Sequence, residues 1–131
     1  MSEEGPKAVE AADYINLADD VWAESQTKWN DLGITATDGA EGSVVVTGSS
    51  TVEPISKIVA EVFSGNNPDA QIDVTGPGTG DGLKQFCGGG ADVADASRAI
   101  KDEEKALCDE AGITFTEFKI GIDGISLITK K

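Results

Sequence analysis

The feature that most constrains the fold is an alternation of strand-like and helix-like segments that runs from Val44 to the end of the 131-residue chain. The strand-like runs are VVVTG, AQIDVTG and ADVADAS, and the helix-like segments that follow them are EPISKIVAEVFSGNNP, DGLKQFC and KDEEKALCDEAG. A last extended run, FTEFKIGIDGISLITK, closes the pattern. Strands that alternate with helices favour parallel pairing, because each helix carries the chain back along the sheet. The sequence therefore predicts an α/β fold with an open, mostly parallel sheet flanked by helices.

The N-terminal part follows a different pattern. Pro6 to Leu32 is predicted to form an extra N-terminal helix, with proline near its start and Gly33 just beyond its end. Spacings of three and four define its apolar stripe: Ala11, Ile15, Ala18, Trp22, Ser25, Trp29 and Leu32. The stripe packs either on the core of its own domain or on another surface, such as a partner or a second copy of the chain. We expect residues 1–42 to form this helix and a linker, and residues 43–131 to form the α/β part.

Composition argues against several classes of function. The chain has 24 acidic and 10 basic residues, a formal net charge of −14, which opposes binding to nucleic acid or to an anionic membrane. It has no histidine, which removes Ser–His–Asp nucleophile systems and histidine-containing zinc sites, and its two cysteines are too few for an all-cysteine zinc site. We find no catalytic constellation and expect a binding protein, not an enzyme, with no metal and no cofactor.

Targeting signals are not evident. No run approaches the roughly 18 apolar residues of a membrane helix. The first residues, MSEEGPKAVEAADY, carry acids where a signal peptide has positive charge and an apolar run. We therefore expect no signal peptide in this chain.

The loops after the first three predicted strands share one chemistry. They read TGSSTVEP, GPGTGDG and DASRAI, and contain hydroxyls, glycines and Arg98, the only arginine. The carboxyl ends of neighbouring parallel strands meet at one edge of a sheet, where the helix N-termini offer unpaired N–H groups and partial positive charge. Together the loops predict a site for a small oxyanion. Taken singly, each has an ordinary alternative: an N-cap, a turn, or a surface ion pair of Arg98.

Nucleotide-binding fingerprints are absent from these loops. GPGTGD has Asp81 at the third glycine position of the dinucleotide motif, and no GK[ST] follows, as the phosphate loop of ATPases requires. Asp81, Asp92 and Asp95 are candidate carboxylates near the predicted site. One of them is a candidate acceptor for the proton of a protonated oxyanion.

Three motifs in order, GSSTVEPIS, VTGPGTGDGLKQFCGG and DVADASRAI, followed by DEEKALCDEAGI and KIGIDGISLI, resemble the phosphate-binding proteins of bacterial and archaeal phosphate ABC transporters. The resemblance covers roughly residues 43–131. It implies part of one lobe of a type 2 periplasmic-binding-protein fold, which closes over phosphate without chemistry. The phosphate-binding residues that it implies are Ser50, Thr51, Val52 (through its N–H), Thr79, Gly80, Ser97 and Arg98.

Two departures from the family bear on this expectation. Where the family often has an aspartate that accepts the proton of phosphate, a gap-free match has Arg98, which fits direct, two-pronged pairing with phosphate. The chain is also less than half as long as a family member, and it stops where the family's backbone enters a second lobe. We expect half of a site with low affinity, and in a full-length parent an ABC-transporter permease as partner.

The resemblance also bears on the cysteines. It implies a disulfide between Cys87 and Cys108, and hence an extracytoplasmic location in the periplasm or at the cell surface. Two reduced, buried thiols are the alternative.

Overall fold

A computed structural model describes residues 4–12, 14–33 and 39–123. The chain divides into two compact units, one of residues 1–34 with 118–131 and one of residues 35–117. Among the described helices, none has the length and apolar character needed to cross a membrane.

The N-terminal segment forms two helices, α1 (Glu4–Ala11) and α2 (Asp19–Asp31), so the prediction of one helix over Pro6–Leu32 is wrong. Ala18 has extended dihedral angles, and Asp19 and Asp20 supply negative charge to the first turn of α2, where the helix dipole favours it. Between the helices, Ile15 forms an isolated antiparallel bridge with Ile122. The predicted apolar stripe is therefore interrupted between the end of α1 and the start of α2.

The remaining part of the stripe, on α2, packs within its own unit. Ser25 is buried, and its hydroxyl donates to the carbonyl oxygen of Lys119 at 3.2 Å. The ring of Trp29 lies 6.0 Å from the ring of Phe118. Of the two alternatives for the stripe, the structure supports packing on the chain itself.

The second unit contains a three-stranded sheet of β1 (Gly42–Gly48), β2 (Ala70–Thr75) and β3 (Val93–Asp95), in the order β2-β1-β3. Both pairings are parallel, and Val46 lies opposite Val74 on one side and Val93 on the other. The β-branched residues of β1 and β2 favour strand structure because they pack well on a pleated surface between helices. The predicted parallel sheet is confirmed.

Three helices accompany the sheet: α3 (Glu53–Asn66), α4 (Thr79–Cys87) and α5 (Asp102–Ala111). The helices α3 and α5 lie within predicted helical segments, α3 ending before Asn67-Pro68 and α5 before Gly112. The helix α4 begins at Thr79, two residues before the predicted segment DGLKQFC. Of the apolar face predicted for α3, Ile55 is buried, whereas Val59, Val62 and Phe63 remain 41–46% exposed. The helix α3 thus packs on the sheet with only part of its apolar face.

The last predicted strand is not found in the described part of FTEFKIGIDGISLITK. Residues 113–121 have neither helix nor strand structure, and among the described residues Ile122 forms a single bridge, to Ile15. An extended segment becomes a strand only where a neighbouring backbone segment forms hydrogen bonds with it along its length. Residues 124–131, the rest of this prediction, lie outside the described residues.

Candidate functional site

Backbone hydrogen bonds tie the ends of the three strands together. The N–H of Gly78, in the loop after β2, donates to the carbonyl oxygen of Gly48 at the end of β1, at 2.7 Å. The N–H of Ser49 donates to the carbonyl oxygen of Asp95 at the end of β3, at 2.8 Å. Gly48 has a φ of +148°, and a Cβ there would collide with the backbone of Asp95. The first loop is therefore in contact with both of the others, as the pattern of parallel strands predicts.

Side chains join the second loop to the third. The hydroxyl oxygens of Thr79 and Ser97 lie 3.2 Å apart, and the N–H of Ser97 donates to the Thr79 hydroxyl oxygen at 3.3 Å. Thr79 is the first residue of α4, and Ser97 follows the end of β3 by two residues. Two predicted site residues that are 18 positions apart in the chain are thus in direct contact.

The N-terminus of α4 supplies backbone donors at this point. The first hydrogen bond of the helix runs from the N–H of Gly82 to the carbonyl oxygen of Gly78, at 3.0 Å. The N–H groups of Thr79, Gly80 and Asp81 come before it, so they have no acceptor within the helix. These three N–H groups carry the positive end of the helix dipole, so the site combines them with the hydroxyl groups of Thr79 and Ser97 as donors.

Arg98 lies beside the same helix end. Its Nη1 and Nη2 donate to the two carboxylate oxygens of Glu104, at 2.8 and 2.7 Å, and Nη1 also donates to the carbonyl oxygen of Ala99 at 3.1 Å. A Cβ placed on Gly80 would lie 3.9 Å from Nη2 of Arg98. The ion pair that the sequence analysis gave as the alternative to an oxyanion contact for Arg98 is therefore present. It lies against the first turn of α4.

The residues predicted in the first loop are held in a tight turn. The N–H of Thr51 donates to the hydroxyl of Ser49 at 3.2 Å, and the N–H of Val52 donates to the carbonyl oxygen of Ser49 at 3.1 Å. The amide donor predicted at Val52 is thus already engaged. Ser50 is exposed, and its Cα would lie 3.0 Å from a Cβ on Gly76, so the first loop touches the second here as well.

The candidate carboxylates have partners of their own. Asp95 is buried and accepts a hydrogen bond from the hydroxyl of Ser56, on α3, at 2.7 Å. Burial raises the pKa of Asp95, against the lowering effect of the Ser56 hydrogen bond, and the charge of Glu53 raises it further. Asp92 accepts from the N–H of Val45 at 2.8 Å.

Asp81, the third candidate carboxylate, lies in the first turn of α4. Its Oδ1 is 3.8 Å from the Nζ of Lys84 one turn further along, and both side chains are more than three fifths exposed. An exposed pair of this kind contributes little to stability.

Two residues of this cluster were not predicted from the sequence, Ser49 and Glu104. Ser49 is one of three consecutive hydroxyl residues and Glu104 is one of three consecutive acids, so the sequence does not distinguish either from its neighbours. The sequence carries no capping-box signature for Glu104, because Lys101, three residues earlier, has no side-chain oxygen; only the structure shows that Glu104 accepts the N–H of Lys101 at 2.9 Å.

The disulfide between Cys87 and Cys108 is present and joins the end of α4 to α5. The Cα atoms are 4.4 Å apart, and both cysteines are buried. This confirms the pairing implied by the family resemblance. In the chain-entropy model, a loop of this size gives about 3 kcal/mol of stabilisation.

Comparison with known proteins decides the family. A family model described as a PBP superfamily domain matches residues 33–131. The chain belongs to the PBP superfamily. This membership, together with the parallel sheet, confirms both the family resemblance and the predicted fold class.

Two proteins that are similar to this chain are named for phosphate binding. The chain is 44% identical over 91 residues to the phosphate-binding protein PstS of Staphylococcus saprophyticus, which is 70% of this chain and 28% of that protein. It is 46% identical to a solved structure of a possible phosphate binding protein from Planctomyces limnophilus, with a TM-score of 0.54 over 55% of this chain and 25% of that one. The chain thus spans under one third of the length of these relatives.

A third match shows the fold over a longer stretch. A phosphate-binding protein of a phosphate ABC transporter from Streptococcus pneumoniae superposes with a TM-score of 0.58, over 81% of this chain and 37% of that one. At 22% identity this likeness shows a shared fold alone.

Proposed function

We propose that the chain binds inorganic phosphate with one half of a two-lobed site. In this proposal the ligand contacts are Ser50, Thr51, Thr79, Gly80, Ser97 and Arg98; Val52, also predicted, would contact the ligand only if its N–H left the carbonyl oxygen of Ser49. The observation that carries it is the contact between Thr79 and Ser97 at the N-terminus of α4, with the Arg98 guanidinium beside Gly80. Hydroxyls, helix N–H groups and a guanidinium are the donors that tetrahedral oxyanions accept from.

The acidic surface of the protein does not oppose this proposal. The net charge of −14 belongs mostly to exposed carboxylates, whose fields are screened by salt beyond about 8–10 Å. The donors at the loops act at hydrogen-bonding distance, where direction and short range decide the energy. A weakly bound anion is therefore compatible with an acidic protein.

We further propose that in a full-length protein this segment serves phosphate uptake with an ABC-transporter permease, outside the cytoplasm. The relatives named for phosphate binding support the ligand, and the Cys87–Cys108 disulfide supports an oxidising compartment. No reaction is assigned, because the relatives are binding proteins.

The alternative function, docking through the N-terminal amphipathic helix, gains no support from these observations. Ser25 and Trp29 on α2 contact Lys119 and Phe118 of the same unit. Self-association through this helix stays a prediction.

Isothermal titration calorimetry with phosphate in excess tests the proposal on the wild type and on Thr79→Val. Valine keeps the shape of threonine but removes the hydroxyl that contacts Ser97, so we expect phosphate to bind roughly tenfold more weakly, the cost of one hydrogen bond to a charged group. Thr116→Val, a change of the same kind at an exposed position, is the control and should bind like the wild type. Equal affinities for Thr79→Val and the wild type, or heat with sulfate and none with phosphate, would contradict the proposal.

A further inference from the structure

Arg98 and Glu104 meet end to end. The two terminal nitrogens of Arg98, Nη1 and Nη2, each donate to a different carboxylate oxygen of Glu104, at 2.8 and 2.7 Å. This bidentate arrangement fixes the plane of the guanidinium as well as its position. The side chain of Glu104 is only 10% exposed, and its Oε2 also accepts the N–H of Lys101 at 2.9 Å. Glu104 is thus itself held in place.

A count of donors shows what this contact leaves unused. A guanidinium has five N–H donors. In the described part of the chain, Arg98 uses one for Ala99 and two for Glu104, all from Nη1 and Nη2. The remaining donors are the Nε–H and one hydrogen of Nη2, which lie side by side and form a second fork that fits two oxygens of a carboxylate or phosphate.

The free fork lies near the first turn of α4. A Cβ on Gly80 would be 3.9 Å from Nη2 of Arg98 and also 3.9 Å from Oε1 of Glu104. The residue before Gly80 is Thr79, whose hydroxyl contacts Ser97. The side-on fork of Arg98, the α4 N–H groups and the two hydroxyls therefore belong to one small region.

We propose that Glu104 is a positioning residue for the oxyanion site: it holds the terminal nitrogens of Arg98 so that the Nε–H and the second Nη2 hydrogen point at phosphate. The inference rests on the proposed function and deepens it. It adds a residue that touches no ligand, and it states that Arg98 binds phosphate side-on while remaining bound to Glu104.

The charges of the pair have a consequence for the site. The hydrogen bond from Arg98, with a second from the Lys101 backbone, lowers the pKa of Glu104 to about 2, so the carboxylate is ionised at neutral pH. The Arg98–Glu104 pair then has no net charge. Arg98 accordingly contributes directed hydrogen bonds to the anion more than it contributes net positive charge.

NMR titration of the full chain with phosphate tests this inference, because Arg98 is the only arginine and its Nε–H gives one assignable signal. The samples are the wild type, Glu104→Gln, Arg98→Lys and the double variant. Glu103→Gln is the matched control, since Glu103 is the neighbouring acid, is 77% exposed and pairs only loosely with Lys101 at 3.5 Å. The measured quantities are the Nε–H signal of Arg98 and the affinity reported by the amides of Thr79 and Ser97.

We expect phosphate to shift the Nε–H signal of the wild type and of Glu103→Gln, which should have equal affinities. Glu104→Gln should bind about tenfold more weakly, because a charged hydrogen-bond partner of Arg98 is lost. Arg98→Lys should bind about tenfold more weakly too, because lysine keeps the charge but has no planar fork. The double variant should be no weaker than Arg98→Lys, since Glu104 acts through Arg98 alone.

Three results would overturn the inference while leaving the proposed function intact, provided that the Thr79 and Ser97 amides still respond to phosphate. These are unchanged or tighter binding by Glu104→Gln, losses that add in the double variant, and wild-type affinity in Arg98→Lys. The last of these decides the matter even if Glu104→Gln fails to fold. No response of the Thr79 and Ser97 amides in the wild type would instead overturn the proposed function, and the inference with it.

Discussion

Glu104 accepts three hydrogen bonds with two carboxylate oxygens, from both terminal nitrogens of Arg98 and from the N–H of Lys101. Such a concentration of donors favours the ionised carboxylate, and the pKa of Glu104 falls accordingly. The sequence identifies Arg98 as the sole arginine in a loop of small residues, but it does not say which acid that arginine contacts. The choice among Asp102, Glu103 and Glu104 depends on the direction in which α5 leaves the loop, which is a property of the three-dimensional structure.

A pH-dependent difference in stability follows for Glu104. Its pKa in the folded protein, about 2, is below the ordinary value of 4.5, so its contribution to stability is present above pH 4.5 and is lost as the pH falls towards 2. We expect the wild type to be more stable than Glu104→Gln at neutral pH, and the gap to close over that interval. Arg98 keeps its charge at every pH in this range.

Urea unfolding at a series of pH values measures this gap. Asp95 titrates in the opposite sense, because burial raises its pKa, but it is common to both proteins and cancels from the difference. Thr116→Val, which changes no ionisable group at an exposed position, is the control and should show no gap that depends on pH. A gap between the wild type and Glu104→Gln that stays constant down to pH 2 would show that the Glu104 charge does not stabilise the fold.

At the scale of elements, the approach of α4 to β1 determines where the second loop lies. A Cβ on Gly82 would lie 2.8 Å from both the backbone nitrogen of Gly48 and the carbonyl oxygen of Thr47. Only glycine allows the helix to lie this close to the strand. The close approach is what allows the N–H of Gly78 to reach the carbonyl oxygen of Gly48.

Gly82→Ala should therefore destabilise the protein by about 3 kcal/mol, the upper end of the usual cost of overpacking, because neither backbone can move away easily. Gly65→Ala is the matched control on α3: a Cβ there meets nothing within 4 Å, and alanine should stabilise the helix by about 0.5–1 kcal/mol. Chemical denaturation of both variants measures the two effects. A Gly82→Ala protein as stable as the wild type would refute the close contact.

The elements themselves were largely predictable, and the failures have identifiable causes. The strands β1 and β2 follow from short β-branched runs and β3 from its place in the strand–helix alternation, and α3 and α5 end close to the residues that the sequence marks, Asn67-Pro68 and Gly112. The prediction of a single N-terminal helix was wrong because periodicity alone cannot detect that the first helix ends at Ala11 and that the second begins only after the extended residue Ala18. In the described part of the last predicted strand, up to residue 123, Ile122 forms one bridge, to Ile15, a pairing that depends on a residue more than 100 positions away.

At the scale of the whole molecule, the loops of one sheet edge account for the candidate site. The convergence of the loops was predictable from the strand–helix alternation, since parallel strands end at the same edge. The individual contacts could not be predicted in this way. The hydrogen bonds from the Val52 N–H to Ser49 and from the Ser56 hydroxyl to Asp95 are seen only in the structure. The chain spans 28% of the length of the phosphate-binding protein PstS of Staphylococcus saprophyticus.

The most direct test of the central proposal is a map of backbone amide shifts in the ¹⁵N-labelled chain as phosphate is added, with chloride at the same ionic strength as the reference. The proposal predicts shifts that saturate together at the three loops, in residues 50–52, 79–81 and 97–98, with a single dissociation constant. Shifts in only one of these loops, or shifts concentrated elsewhere in the chain, would contradict the claim that three separate segments bind one anion.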